Sequence, residues 1–230
     1  MTKGDALFTA RTFEFLRELA RNNDRAWFAE NRDRYERDVK GPALRFVAEL
    51  APDLKKISPH FRADPRPVGG SLFRIHRDVR FSKDKSPYKT HVGIRFPHAA
   101  GKDVHGPGFY LHLEPGEVFV GCGVWHPDGA TLSRIRESIA ARPEHWRRIR
   151  DGKRFRRRFR LGGDSLRRAP RGIDPDHPLI EDLKRKDYIA VAELEEEAIV
   201  GKGFSREFAG LCRDAEPFQR FLCEALGLAC

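Results

Sequence analysis

Pro115-Gly116 separates two runs in which apolar residues alternate, Phe109–Glu114 and Glu117–Trp125. A two-residue turn between alternating runs closes an antiparallel hairpin. If Glu114 and Glu117 flank the turn, Leu113 pairs with Val118, Leu111 with Val120 and Phe109 with Cys122, all on one apolar face. On the other face His112 meets Phe119 and Tyr110 meets Gly121, followed by Gly123 and Trp125. This register turns Cys122 into the core, where a thiol ionises poorly and is inert. The GCGVWH string around it is therefore read as structural rather than nucleophilic.

The same period-two reasoning applies upstream. Leu72–His76 and His91–Phe96 read as strands bracketing a polar loop. Phe73 and Ile75 would face inward and Arg74 and His76 outward; Val92, Ile94 and Phe96 inward and His91, Gly93 and Arg95 outward. The non-core face of the sheet then collects Arg74, His76, His91, Arg95, Tyr110 and His112. Histidines beside arginines and an aromatic floor suit an anion site or proton transfer near neutral pH. His112, His91 and Tyr110 are the catalytic candidates. A covering helix would instead make this face plain scaffold.

The bracketed stretch, SLFRIHRDVRFSKDKSPYKTHVGIRF, carries Arg74, Arg77, Arg80, Lys83, Lys85 and Lys89 against Asp78 and Asp84. These six cations are candidate anion-binding residues. The competing reading pairs the charges within the loop, Asp78 with Arg80 and Asp84 with Lys85 or Lys89. A second basic region, Arg142–Arg171, holds thirteen Arg and Lys residues against three acids, which equals the whole net charge of +10. Arg156, Arg157 and Arg158 are its candidate polyanion surface, and nucleic acid is a candidate partner.

Helical spacing marks Thr12–Ala20, with a left-handed end at Asn22-Asn23, and Arg25–Val39, capped by Asp24. Gly41-Pro42 is expected to break the chain before a third helix, and Pro52 to begin an irregular passage. Asp128 and Pro143 mark two more helix starts. Phe155–Arg160, FRRRFR, is expected as an edge strand. Asp176 is expected to cap a short helix from Pro178 to Lys186. Asp174, Asp176 and His177 have no specific metal spacing, and no metal or cofactor is expected. Tyr188–Leu194 reads as the last strand, and Pro217 should divide the C-terminal helix in two.

With 230 residues, 40% of them hydrophobic, the chain can bury a full core. The expected fold is α+β, a single domain over residues 1–230: a central, largely antiparallel sheet with N-terminal and C-terminal helices packed on it. No apolar run approaches a membrane span and the N-terminus lacks a signal core. Cys122, Cys212, Cys223 and Cys230 form no CxxC pair, which suits reduced thiols in the cytoplasm. No Walker loop, GxSxG elbow, HExxH or dinucleotide fingerprint is present.

Four segments also carry a family resemblance: FLRELARNNDRAWFAENRDRY, FRIHRDVRFSKDKSPYKTHVGIRF, GFYLHLEPGEVFVGCGVWHPD and LRRAPRGIDPDHPLIEDLKRKDY. In this order they resemble the bacterial and fungal family known as domain of unknown function 2461, over nearly the whole chain. The resemblance implies one α+β unit and supplies no substrate, cofactor or site residue. The function expected from the residues is binding of a phosphate-bearing small molecule or nucleic acid through the basic loop. The alternatives are an enzyme acting on a phosphate ester or similar anion, and an adaptor docking an acidic partner.

Overall fold

The computed structural model describes residues 6–100 and 106–230; the first five residues, read above for a signal core, lie outside them. Three helical pieces open the chain: α1 (Ala10–Arg21), α2 (Arg25–Glu30) and α3 (Arg32–Tyr35). Asp24 caps α2 as expected, its carboxylate accepting from the Ala26 and Trp27 amides at 2.9 Å. Asn22 ends α1 with φ −129°, so the turn is not left-handed. A π-helical turn, Glu36–Lys40, then runs directly into α4 (Gly41–Ile57). Gly41-Pro42 makes no break: the π-helical turn carries the chain across it, with the Gly41 amide donating to the Glu36 carbonyl, and the Asp38 carbonyl that Pro42 cannot serve accepts from Thr12 Oγ1 at 2.7 Å.

The sheet has five strands in the order β1 (Val92–Pro97), β2 (Gly108–Glu114), β3 (Glu117–Val124), β5 (Tyr188–Leu194), β4 (Arg160–Gly162), and every neighbour is antiparallel. The β2–β3 register agrees with the sequence pair for pair: Leu113 with Val118, Leu111 with Val120, Phe109 with Cys122. Between β3 and β4 lie α5 (Gly129–Ala141), α6 (Pro143–Arg150) and α7 (Lys153–Arg158). Then α8 (Ile180–Leu183) precedes β5, and α9 (Glu196–Val200) and α10 (Phe204–Ala225) end the chain. This is an α+β architecture. Among the described residues no helix is long and apolar enough to cross a membrane.

The core lies on one face of the sheet. Val92, Ile94, Phe96, Leu111, Leu113, Val120 and Cys122 point there and are buried. Against them pack α4 and α10, with Phe46 meeting Phe96 at 6.2 Å and Phe208 meeting Phe96 at 5.4 Å between ring centres.

Five further expectations need correction. FRRRFR is largely helical: Phe155 and Phe159, four apart, stack at 5.5 Å, and Phe155 lies 5.3 Å from Phe218. The i,i+4 spacing buries both rings as a helix, and the edge strand starts only at Arg160. Pro217 lies inside α10 and Pro52 inside α4. In both helices burial on either side of the proline outweighs the lost hydrogen bond. Asp176 caps nothing: α8 begins at Ile180, and Asp174 accepts from the Asp176 amide instead at 2.9 Å. Leu72–His76 is not a regular strand but makes two isolated bridges, Leu72 with Ile94 of β1 and His76 with Tyr88 in the segment that leads into β1.

Those bridges also explain where Phe73 lies. Four steps separate Leu72 from His76 while six separate Tyr88 from Ile94, so two residues bulge from the second segment. Alternation is lost across the bulge. Ile75 is buried, as expected, but Phe73 stays 36% exposed and lies on the opposite face of the sheet, over Tyr110.

Candidate functional site

The face of the sheet away from the core holds a cavity of about 610 Å³. Arg95, Tyr110, His112, Phe119 and Gly121 reach it from β1, β2 and β3 by the alternation that buries their neighbours. Ile189 and Val191 enter from β5, Trp125 from beyond β3, and Phe73 from the bulged segment. The lining is mostly apolar and aromatic. Glycine matters at two places. A Cβ on Gly93 would lie 2.8 Å from the Tyr110 hydroxyl, whereas one on Gly121 would meet nothing closer than 3.8 Å. Gly93 therefore lets Tyr110 lie flat, and Gly121 leaves open volume.

One end of the cavity is polar. Tyr110, His112 and Glu114 occupy alternate positions of β2 and so share a face. The Tyr110 hydroxyl lies 3.1 Å from His112 Nδ1, and His112 Nε2 lies 3.3 Å from Glu114 Oε2. Thr90 Oγ1 donates to Glu114 Oε1 at 2.5 Å. His91 Nδ1 stands 4.0 Å from Glu114 Oε2, and its ring centre is 4.5 Å from that of His112. On its other side His112 stacks on Phe119 at 4.8 Å and 9°. The bulge brings Thr90 and His91 to the end of β2.

Burial governs the ionisation here. It lowers His91 to about 4, with help from the neighbouring His112, so this imidazole is neutral at physiological pH. Burial, then the nearby Glu114, pushes Tyr110 up to about 12, which keeps the phenol protonated. For Glu114 burial acts upward, but hydrogen bonds from Thr90 and His112 outweigh it and hold the carboxyl below its usual range. The end of the cavity thus presents two histidine rings and a phenol, with the Glu114 carboxylate hydrogen-bonded to His112.

The basic loop is organised differently. Arg77 pairs with Asp84, and Arg80 pairs with Asp78 at 2.7 Å. Lys85 donates to the Val79 carbonyl at 3.0 Å. Arg74 and Lys83 are exposed, and His76 packs 5.2 Å from Tyr88. Neither Arg74 nor His76 lines the cavity. Lys89 does: it donates to the Arg74 carbonyl at 3.0 Å and lies 5.4 Å from the Phe73 ring centre. Of the six candidate anion ligands, the structure brings only Lys89 to the cavity, where Arg95 joins it.

In the second basic region several arginines have structural partners. Arg142 pairs with Glu224 at 2.7 Å and sits 4.8 Å over Phe221; Arg150 pairs with Asp182; Arg158 lies 3.6 Å from Glu207. Arg154, Arg156 and Arg157 are exposed on α7. Sequence reasoning missed Glu114, Thr90 and Phe73. Glu114 was legible: it follows His112 by two on a strand, and it was passed over as a turn residue.

The family model described as conserved hypothetical protein (DUF2461) matches residues 11–221. The chain belongs to this family. The match covers the opening helices, the whole sheet and most of α10, so every residue of the cavity lies within DUF2461. No curated protein matches the chain.

Proposed function

We propose that this protein binds and acts on a small molecule with a flat apolar group and an anionic end, such as a phosphate ester or carboxylate. One observation carries the reading: the aromatic wall of the cavity runs directly into the hydrogen-bonded chain Tyr110–His112–Glu114. An apolar pocket with a few convergent polar groups is the usual form of a ligand site. The flat group lies among Phe73, Tyr110, Phe119 and Trp125, and the anion meets Lys89 and Arg95. The reacting bond then faces His91, His112 and Glu114, a set suited to hydrolytic or proton-transfer chemistry. A phosphate-bearing ligand is thus retained, but at the cavity rather than at the loop tip, where Arg77 and Arg80 are engaged by carboxylates. Four free thiols suit a reducing, cytoplasmic setting.

The test uses 1-naphthyl phosphate and inorganic phosphate with tryptophan fluorescence, Trp125 being the half-exposed tryptophan at the cavity. Naphthyl phosphate quenches it saturably and inorganic phosphate competes weakly. Gly121→Leu fills the cavity from a position with room for a Cβ and abolishes the quench. Equal affinity in wild type and Gly121→Leu sinks the proposal.

A further inference from the structure

We propose that His91, His112 and Glu114 form a binding site for one divalent first-row transition-metal ion, with its open positions facing the cavity. The inference rests on the cavity reading above and supplies it with a reacting centre.

The donor atoms of these three residues all lie within 4.8 Å of one another. Around a tetrahedral zinc ion with bonds of about 2.1 Å, neighbouring donors stand about 3.4 Å apart. His112 Nε2 and Glu114 Oε2 already stand 3.3 Å apart. His91 Nδ1 is 4.0 Å from Glu114 Oε2, so a shift of that half-buried ring by about 1 Å closes the set. The backbone holds the arrangement in place. His112 and Glu114 are two apart on β2, and His91 immediately precedes Val92, which pairs with Leu113 between them.

Outer partners add a second, independent observation. A ligating carboxylate and imidazole usually have their remaining atoms hydrogen-bonded, which orients them. Here Thr90 holds the second oxygen of Glu114 at 2.5 Å, and Tyr110 stands 3.1 Å from the second nitrogen of His112. In the metal-bound state His112 carries its proton on Nδ1 and donates it to the Tyr110 oxygen, leaving Nε2 for the ion. Phe119 stacked on the ring fixes its plane.

Two imidazoles and one carboxylate suit zinc, iron, cobalt or manganese, and three protein ligands leave coordination positions free. With two neutral ligands and one anionic ligand, a divalent ion leaves the centre with a net positive charge. It adds to Lys89 and Arg95 in selecting an anionic substrate, whose phosphate or carboxylate oxygen takes a free position.

The test is calorimetric titration of EDTA-treated, dialysed protein with Zn(II), and absorption titration with Co(II). We expect one ion per chain and a tetrahedral or five-coordinate Co(II) spectrum. His91→Ala, His112→Ala and Glu114→Gln each weaken binding by about tenfold or more, and Tyr110→Phe by about tenfold. His60→Ala, which removes a ring stacked on His98 away from the site, leaves it unchanged. Melting curves in EDTA show that the variants fold. No binding to the wild type, or a stoichiometric site untouched by Glu114→Gln and His112→Ala, overturns the inference. Naphthyl phosphate binding in EDTA separates the two readings. If Gly121→Leu removes it while no metal binds, the cavity stands and the metal site falls; metal bound at the three residues with Gly121→Leu unaltered in naphthyl phosphate binding gives the reverse.

Discussion

Asn23 grips the backbone of Tyr88 from both sides, donating from Nδ2 to the Tyr88 carbonyl at 2.9 Å and accepting the Tyr88 amide on Oδ1 at 3.0 Å. A side-chain amide here satisfies the Tyr88 backbone groups on the side away from its bridge with His76. Tyr88 also stacks on Phe28 at 4.1 Å, so the turn between α1 and α2 anchors the start of the segment carrying Lys89, Thr90 and His91. Asn23→Ala removes two hydrogen bonds and should cost about 1–2 kcal/mol. Hydrogen exchange at the Tyr88 amide should accelerate more than the loss of global stability explains. Unchanged exchange there would show that the anchor lies elsewhere.

Asp187 performs a similar service at the other end of the cavity. It is 2% exposed and accepts from the His126 amide at 2.7 Å and the Asp164 amide at 3.2 Å. His126 carries a φ of 47°, a conformation that needs external support. Asp187→Ala leaves two partly buried donors without acceptors and should destabilise the protein by about 2 kcal/mol or more, read by urea unfolding. It should also shift the emission of Trp125, which precedes His126.

The four thiols should divide under a thiol reagent. Burial raises Cys122 and Cys212 well above their ordinary values, while a hydrogen bond from Cys223 lowers the half-buried Cys230. Cys230 should react first and Cys122 only on unfolding. Cys122→Ala should cost about 1 kcal/mol and leave naphthyl phosphate binding intact. Fast labelling of Cys122 in the native state would contradict the β2–β3 register.

Arg77 should behave as a loop brace. Because Asp84 holds it, Arg77→Ala should lower the melting temperature while the stabilisation by phosphate matches that of wild type. Lys89→Ala should reduce that stabilisation, more at low salt than at high. A phosphate response lost in Arg77→Ala and kept in Lys89→Ala would return the anion to the loop tip.

For α7 the expected outcome is salt-dependent retention on heparin that weakens when Arg156, Arg157 and Arg158 become Ala. The substitution should not alter cavity binding, since none of the three lines it. Retention unchanged in the triple variant would assign the charge to solubility alone.

The hairpin was legible because Pro115-Gly116 leaves one register in which Leu111, Leu113, Val118 and Val120 share a face. The histidines of the open face followed from that single turn. Phe73 was not legible, because alternation counts residues along one strand and the bulge at Thr90-His91 is a property of two. FRRRFR failed for a related reason: Phe155 and Phe159 satisfy both a two-residue and a four-residue period, and only Phe218 on a distant helix decides between them. The prolines of α4 and α10 were misjudged because local propensity says nothing of the burial that surrounds them.

The alternation of β2 and β3 has a consequence for how this protein can diversify. Tyr110, His112, Phe119 and Gly121 are interleaved with Leu111, Leu113, Val118 and Val120, yet the two sets never share a surface. The interleaved residues meet different physical demands, one set facing the cavity and the other packing the core. A lineage can therefore rewrite its chemistry at every second position of the hairpin while the positions between go on holding the same shape.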